Sequence, residues 1–309
     1  MWIGKKCKTK NSNIMVIAHL NGQLGNQMFV YATAYALAKK TGDSLSVYKF
    51  EFDLLYRSVG FQLGKLMLDN DITYYKGIPS VYYKNTCYAF INKISDRLLK
   101  KKVFVIKNEE ARIDYLNEAP NTYTEIHVDN SKQFHSVEGF RQSPLYFEDY
   151  RFDLIKQFRP NYSVDSETSQ YIKIIQKESY PVSLHIRRGD YVKIGCCLSM
   201  SYYVDAIRLM KGKHPEMSLF IFSDDIEWVK SNLDVCGVKT YFISHNHSVN
   251  PFDDIWAMSK CKSNIIANSS FSWWGAYLNT NEDKLVIAPR KILDNNNKIL
   301  PSDWIMIND

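Results

Sequence analysis

The chain has 309 residues, a length that suits two α/β domains of ordinary size, each with its own core. Hydrophobic residues make up 45% of it and aromatic residues 14%, which excludes a disordered or fibrous protein. The formal net charge of +6 favours an acidic partner. Nucleic acid is one such partner, but the sequence contains no basic repeat interleaved with aromatic residues.

Residues 1–13 are rich in lysine and no apolar stretch follows them, so we expect a polar extension and not a signal peptide. No run of about 18 apolar residues occurs, which predicts no transmembrane helix. The lysine run 100–102 is interpreted as a solvated face or as a point of peripheral docking on an anionic membrane. Cysteines without zinc-type spacing predict reduced, mostly buried thiols in a cytoplasmic protein: Cys7, Cys87, Cys196, Cys197, Cys236 and Cys261.

The first regular unit combines a strand, a glycine-containing turn, a helix and a second strand. Its predicted elements are strand 13–20, turn 21–27, helix Met28–Lys40 and strand 44–48. The turn contains three candidate ligands: Gly25, Asn26 and Gln27. Free backbone N–H groups at the helix start bind anions, but a tight turn into a packed helix also needs glycine. The G-x-G-x-x-G dinucleotide fingerprint is absent.

After a less regular stretch between residues 50 and 150, strands and helices alternate. The predicted strands are 181–186, 218–222, 238–243, 264–267 and, as the last one, 285–288. The predicted helices are 200–213, with Tyr203, Ile207 and Met210 on its buried face, 225–233, 251–260 and 271–278. This alternation predicts an α/β fold with a parallel, doubly wound sheet. The linker candidate 159–163 divides an N-terminal domain, 14–160, from a C-terminal domain, 161–309.

The segment 185–191 places two arginines directly after a predicted buried strand, where open α/β sheets bind ligands. A guanidinium presents a planar fork of donors that matches a phosphate bidentately. One arginine can clamp a diphosphate while the other pairs inward with a carboxylate such as Asp190. The alternative is a surface arginine pair beside a turn.

Two further loops follow predicted strands. Three serines at one strand-to-helix turn can cap the helix and donate to phosphate oxygens: Ser269, Ser270 and Ser272. The alternative is a plain helix cap, and we interpret Trp273 and Trp274 behind it as packing. Asp224 and Asp225 offer carboxylates at another strand end, or a cap for the helix that follows. A metal at this pair is disfavoured, because arginine and serine side chains already neutralise a diphosphate.

These segments together resemble the α-1,2-fucosyltransferase family of glycosyltransferases. The matching segments, in the family's order, are 22–32, 139–147, 185–191, 222–225 and 268–278. The arginine segment is shared with α-1,6- and protein O-fucosyltransferases and alone indicates only use of GDP-fucose. The Gly-Asn-Gln opening and the tryptophan-containing loop narrow the resemblance to α-1,2 transfer. Gln23 stands where the family usually has glycine, so this position need not adopt a backbone conformation that only glycine allows. Val30 stands where the family usually has glutamine.

The resemblance implies a GT-B architecture, in which two Rossmann-like domains face a cleft. It implies transfer of L-fucose from GDP-fucose to the 2-hydroxyl of a terminal galactose, with inversion at the anomeric carbon. GDP-fucose is the donor substrate, and no cofactor or metal is expected. The acceptor would be an oligosaccharide or lipid-linked glycan, as in O-antigen or capsule biosynthesis.

The same resemblance suggests roles for the candidate residues. Arg187 is expected to clamp the leaving diphosphate, and Asn26 to face the donor across the cleft; both are the expected catalytic residues. His185 contacts GDP or holds its segment through backbone bonds, and Asp224 or Asp225 accepts hydrogen bonds from guanine or ribose. The other expected donor-binding residues are Asp190, Ser269, Ser270, Phe271, Ser272, Gly25 and Gln27. The sequence does not single out a general base.

Two other functions remain open. The first alternative is an enzyme that transfers fucose to another position, as an α-1,6 enzyme does. Analysis of the product linkage distinguishes it from an α-1,2 enzyme. The second alternative is not an enzyme: it is a protein that binds a nucleotide sugar without catalysing transfer. The intact arginine segment, Asn26 and the serine loop argue against that loss of activity.

Overall fold

The computed structural model describes residues 14–48, 60–69, 73–75, 113–116, 123–243, 250–292 and 297–309. Four sequence-based expectations lie outside these residues: the extension 1–13, the lysine run 100–102, Cys7 and Cys87. In the described part of the chain, no helix is both long and apolar enough to cross a membrane.

The chain divides into two compact units. The first lies within Met1–Phe61, Asp69–Arg141 and Leu145–Arg151. The second lies within Gln62–Leu68, Gln142–Pro144 and Phe152–Asp309. Each unit is built on one parallel sheet.

The described strands of the first unit are β1 (Met15–His19), β2 (Ser44–Tyr48), β3 (Thr73–Tyr75), β4 (Ile113–Leu116) and β5 (Phe134–Val137). They pair in parallel in the order β3-β2-β1-β5-β4, so β1 is central. Helix α1 (Leu24–Thr41) connects β1 to β2 and is buried along its length to Ala38, except at Asn26. Its alanine-rich sequence favours a helix, and the apolar surface on every side explains the burial.

Helix α1 begins at Leu24, four residues before the predicted start, so Gly25, Asn26 and Gln27 lie in its first turn. The amides of Asn26 and Gln27 donate to the carbonyl of Gln23 at 2.9 and 3.0 Å, which starts the helix early. The turn is therefore shorter than predicted. Gln23 has φ −80°, which confirms that its backbone is not glycine-only. Gly22, with φ +61°, makes the reversal.

The second unit has six described parallel strands: β6 (Tyr180–Ile186), β7 (Met217–Ser223), β8 (Lys239–Ile243), β9 (Ser263–Ile265), β10 (Val286–Pro289) and β11 (Ile305–Ile307). Their order is β11-β10-β9-β6-β7-β8. The described α-helices that follow α1 along the chain are α2 (Arg151–Gln157), α3 (Ser166–Ile175), α4 (Gly189–Ile194), α5 (Met200–Lys213), α6 (Ile226–Asn232), α7 (Phe252–Met258) and α8 (Ser270–Tyr277). Short 3-10 helices occur at Leu63–Lys65, Pro144–Tyr146, Glu148–Tyr150 and Asn297–Ile299.

The predicted α/β fold is confirmed, since two parallel sheets alternate with helices. The predicted face of α5 is buried at Tyr203, Ile207 and Met210. Trp273 and Trp274 are fully buried, and the Trp273 indole N–H donates to the Ile299 carbonyl at 2.8 Å, which confirms the packing interpretation.

Three details of the prediction are wrong. Strand 285–288 is not the last strand, because the three-residue, half-buried β11 pairs with β10 beyond it. Helix α4 was missed because Val192, Lys193 and Ile194 are exposed and leave no apolar periodicity. The described cysteines are free, but only Cys261 is buried, so the expectation of mostly buried thiols fails for them.

Candidate functional site

The arginine segment lies at the carboxyl end of β6, in the interior of the second sheet. Every residue of β6 is buried. Parallel register places Ile186 beside Ser223 of β7, so the arginines and the aspartates that follow the two strands lie side by side. Sequence reasoning placed these two groups at strand ends, and the structure brings them together.

Arg187 is held by two carboxylates. Its Nη2 lies 2.6 Å from Oδ1 of Asp190, and its Nη1 lies 2.9 Å from Oδ2 of Asp224. Its guanidinium carbon is also 5.5 Å from the ring centre of Tyr191. We expected one arginine to bind a diphosphate and the other to pair with Asp190. The structure pairs Asp190 with Arg187, the expected clamp, because the first turn of α4 turns Asp190 back towards it.

Arg188 has different partners. Its Nε donates to Oδ2 of Asp225 at 3.0 Å, and its guanidinium carbon lies 3.2 Å from the centre of a Trp228 ring. Asp225 occupies the N-cap position of α6 but makes no capping hydrogen bond. The capping alternative is therefore wrong for this side chain. Stacking and ion pairing together fix the guanidinium plane.

Asp224 connects the arginines through a backbone bond as well. Its Oδ1 accepts a hydrogen bond from the Arg188 amide at 2.8 Å, while its Oδ2 faces Arg187. A Cβ added to Gly189 would lie 2.6 Å from the same Oδ2, so only glycine leaves room there. Asp224 thus holds both arginines of the segment in place, and Gly189 leaves room for its carboxylate.

His185 is the last but one residue of β6 and is 4% exposed. Burial, and then the nearby Arg187 charge, lower its pKa to about 3, so the imidazole is neutral at physiological pH. Its ring centre lies 5.4 Å from that of Phe271. In the described part of the chain its buried Nδ1 has no hydrogen-bond partner.

The serine loop precedes α8. Ser269 is the N-cap and accepts a hydrogen bond from the Phe271 amide at 3.3 Å. Ser272 is fully buried: its hydroxyl accepts from the Ala267 amide at 3.2 Å and donates to the Ser269 carbonyl at 3.3 Å. The expected phosphate donor Ser272 is therefore turned into the protein. Ser270 and Phe271 are half-buried and stay candidates.

We expect Ser272→Ala to lower stability and to leave GDP affinity unchanged. The substitution leaves the buried Ala267 amide without its acceptor, which costs about 1–3 kcal/mol of unfolding free energy. Chemical denaturation and calorimetric titration with GDP measure the two effects. A weaker GDP complex at unchanged stability would contradict the buried, structural role.

In the first unit, only one of the three candidate ligands is not buried. Gln27 is fully buried, and its Nε2 donates to the carbonyls of Gly22 and Gly60, both at 3.1 Å. Gly25 is buried in the first helical turn. Asn26 is half-buried, and a Cβ added to Gly22 would lie 2.5 Å from its Nδ2.

Sequence reasoning missed a second pair of polar groups in this unit. His19 ends β1, and Nδ1 of its ring lies 3.8 Å from Oε1 of Glu138, the residue after β5. Only a weak sequence signal marked this pair: His19 and Glu138 each precede a loop that contains glycine. In the described ranges, no group of three or more His, Cys, Asp or Glu residues is arranged to hold a metal ion.

Comparison with known proteins places these motifs in a family. The model of glycosyl transferase family 11 matches residues 78–308. An alpha-1,2-colitosyltransferase of Escherichia coli is 33% identical over 307 residues, which cover 95% of this chain and 99% of that protein. The O-antigen biosynthesis glycosyltransferase WbnK of Escherichia coli is 32% identical over 310 residues, 93% of this chain and 98% of that protein.

Two other proteins show weaker similarity. Galactoside 2-alpha-L-fucosyltransferase SEC1 of Bos taurus is 23% identical over 271 residues, 83% of this chain and 62% of that protein. Among solved structures, fucosyltransferase NodZ from Bradyrhizobium has a TM-score of 0.49 at 11% identity, covering 85% of this chain and 92% of that one.

Proposed function

Because the chain belongs to glycosyl transferase family 11, we propose that it transfers L-fucose from GDP-fucose to the 2-hydroxyl of a terminal galactose, with inversion. Membership of the family confirms the resemblance read from the sequence. The observation that carries the proposal is Arg187 held between Asp190 and Asp224 at the carboxyl edge of a parallel sheet. The relatives named for α-1,2 transfer support the linkage.

The chemistry explains why a fixed arginine is useful. As the bond from the sugar to GDP breaks, negative charge grows on the leaving diphosphate and positive charge grows on the sugar. Donors that are already oriented towards the diphosphate stabilise the transition state more than the ground state. We propose that the Arg187 guanidinium, which Asp190 and Asp224 hold in place, directs N–H groups at the phosphate oxygens.

We propose separate roles for the two aspartates. Asp224 uses both oxygens on the arginine segment, and Asp225 uses Oδ2 on Arg188. Asp224 is therefore proposed as a positioning residue. The remaining oxygen of Asp225 is the proposed contact for guanine or ribose. Ser269 and Ser270 at the start of α8 and the neutral His185 complete the proposed donor site.

GDP-colitose is a second candidate donor, because one relative is named for colitose transfer. Colitose lacks the 3-hydroxyl that fucose carries, so the two donors share GDP and differ at one sugar position. Both would use the same arginine segment. The discrimination would come from groups around the sugar.

The test is incubation of the purified chain with GDP-fucose or GDP-colitose and a panel of galactose-terminated acceptors, followed by linkage analysis. We expect an α-1,2 product. An α-1,6 product would contradict the proposed linkage. GDP binding without transfer to any acceptor would favour the non-catalytic binding protein.

We expect transfer to persist in excess EDTA, since we propose that no cofactor or metal is needed. Asp190, Asp224 and Asp225 are each paired with a guanidinium, which satisfies the carboxylates that would otherwise attract a cation. Initial rates with and without EDTA measure this. Loss of turnover that Mg²⁺ or Mn²⁺ restores would contradict it.

We also propose a cytoplasmic location and a glycan acceptor attached to a lipid at a membrane surface. The relative named for O-antigen biosynthesis and the net charge of +6 support this. Sedimentation with anionic and neutral vesicles tests the membrane contact. Equal recovery with both vesicle types would contradict it.

A further inference from the structure

Helix α4 carries two of the groups that surround the Arg187 guanidinium. Oδ1 of Asp190 lies 2.6 Å from Nη2 of Arg187, and the ring centre of Tyr191 lies 5.5 Å from the guanidinium carbon. Five of the six residues of α4 are exposed, and Tyr191 is half-buried. A helix this short is not stable by itself, and α4 buries little apolar surface that would hold it in place. Its position therefore depends on hydrogen bonds to its neighbours.

Two hydrogen bonds tie α4 to Asn268, which directly precedes Ser269 in the serine loop. Nδ2 of Asn268 donates to the Cys196 carbonyl at 2.9 Å, and the Tyr191 hydroxyl donates to the Asn268 carbonyl at 3.3 Å. The Cys196 amide in turn donates to the Tyr191 carbonyl at 3.0 Å, which joins residue 196 to the last turn of α4. Asn268 itself is anchored, because it lies between the buried run 264–267 and Ser269, the N-cap of α8. The serine loop and the arginine segment follow the paired strands β9 and β6, and Asn268 connects them.

We propose that Asn268 is a positioning residue for the transfer: it holds α4 in place and thereby orients the Arg187 guanidinium; this inference rests on the proposed function. A donor that is already oriented stabilises the charge growing on the diphosphate without reorganisation during the reaction. A loosened α4 would let Asp190 and Tyr191 move, and the guanidinium would then take up more than one orientation. Hydrogen bonds weaken steeply as their geometry departs from linear, so the loss falls on the transition state.

The same sheet supplies a matched control. Nδ2 of Asn281 donates to the Lys262 carbonyl at 2.8 Å, and Asn281 is half-buried, as Asn268 is. Lys262 directly precedes β9, whereas Asn268 lies beyond its end, so the Asn281 bond lies at the amino edge of the sheet. Asn281 thus makes the same amide-to-carbonyl bond without the location. Its loss reports the structural cost of removing such a bond.

The experiment measures kcat and Tm of Asn268→Ala and Asn281→Ala, each in the wild-type and the Arg187→Ala background. In the wild-type background we expect Asn268→Ala to lower kcat about 3–10-fold, the effect of losing one net hydrogen bond. Asn281→Ala should keep its kcat per folded molecule. In the Arg187→Ala background, Asn268→Ala should still lower Tm but should reduce kcat little further. Near-normal kcat in Asn268→Ala, an equal loss in Asn281→Ala, or multiplied losses in the double variant would overturn the proposal.

Hydrogen exchange tests the tie to α4 without any turnover. The backbone amides of residues 192–196 should exchange about 2–10-fold faster in Asn268→Ala than in the wild type, and Asn281→Ala should leave them unchanged. Unchanged exchange in Asn268→Ala would overturn the proposal. A wild-type chain that transfers from neither donor would overturn the proposed function, and with it the role in transfer. A working wild type with an equally active Asn268→Ala overturns only the positioning role.

Discussion

Arg187→Lys is expected to be nearly as damaging as Arg187→Ala, with kcat reduced on the order of 10²–10³-fold, by analogy with the loss of one donor at a developing anion. Lysine keeps the charge but loses the planar fork of donors. In this structure the fork meets Asp190 and Asp224 at once, at 2.6 and 2.9 Å. One ammonium on a flexible stem does not hold both carboxylates and a diphosphate.

Arg188→Lys is the matched comparison and is expected to be milder. A lysine at this position keeps a charge for Asp225 and loses mainly the stacking on Trp228. The carboxylates left behind by Arg187 substitutions are 51% and 28% exposed at Asp190 and Asp224, so water screens them and folding should survive. For the Arg187 variants we expect kcat to fall while Tm stays near the wild-type value, with both measured on the same preparations. Retained turnover in Arg187→Lys, or greater sensitivity at Arg188, would contradict the assignment.

The sequence was sufficient to predict β1, β2 and β6 to β10 and the residues at their ends, but not β3, β4, β5 or β11. Apolar runs such as Val182–Leu184 are buried on both faces of a parallel sheet, so they stand out without an alignment. The arginines and aspartates follow two such strands and lie close together, because parallel strands end at a shared edge of the sheet. This logic depends only on local pattern and on topology.

The pairing of side chains was beyond the sequence. Asp190 was expected beside Arg188, but the unpredicted α4 turns it towards Arg187. Ser272 looked like a ligand because its type and position fit, yet the helix start turns its hydroxyl inward. His19 and Glu138 lie far apart along the chain and meet only through the register of β1 with β5. Such contacts depend on side-chain rotamers and on the register between strands, which the pattern of apolar and polar residues does not specify.

Asn26→Ala is expected to lower kcat on the order of 10²-fold, by analogy with the loss of one transition-state donor, while GDP affinity changes little. The half-buried Asn26 is the member of its turn whose side chain is not enclosed, in contrast to Gln27 and its two carbonyl partners. Steady-state rates and calorimetric titration with GDP measure the two effects. Near-normal turnover in Asn26→Ala would leave this turn a structural feature.

Gly22→Ala provides the control that links this effect to the position of Asn26. The added Cβ would lie 2.5 Å from Nδ2 of Asn26, so the amide must move, and φ of +61° adds backbone strain. In the wild-type background we therefore expect both a lower kcat and a lower Tm. In the Asn26→Ala background Nδ2 is gone, so Gly22→Ala should still lower Tm but should reduce kcat little further. Additive kcat losses in the double variant would show that Gly22 acts independently of Asn26.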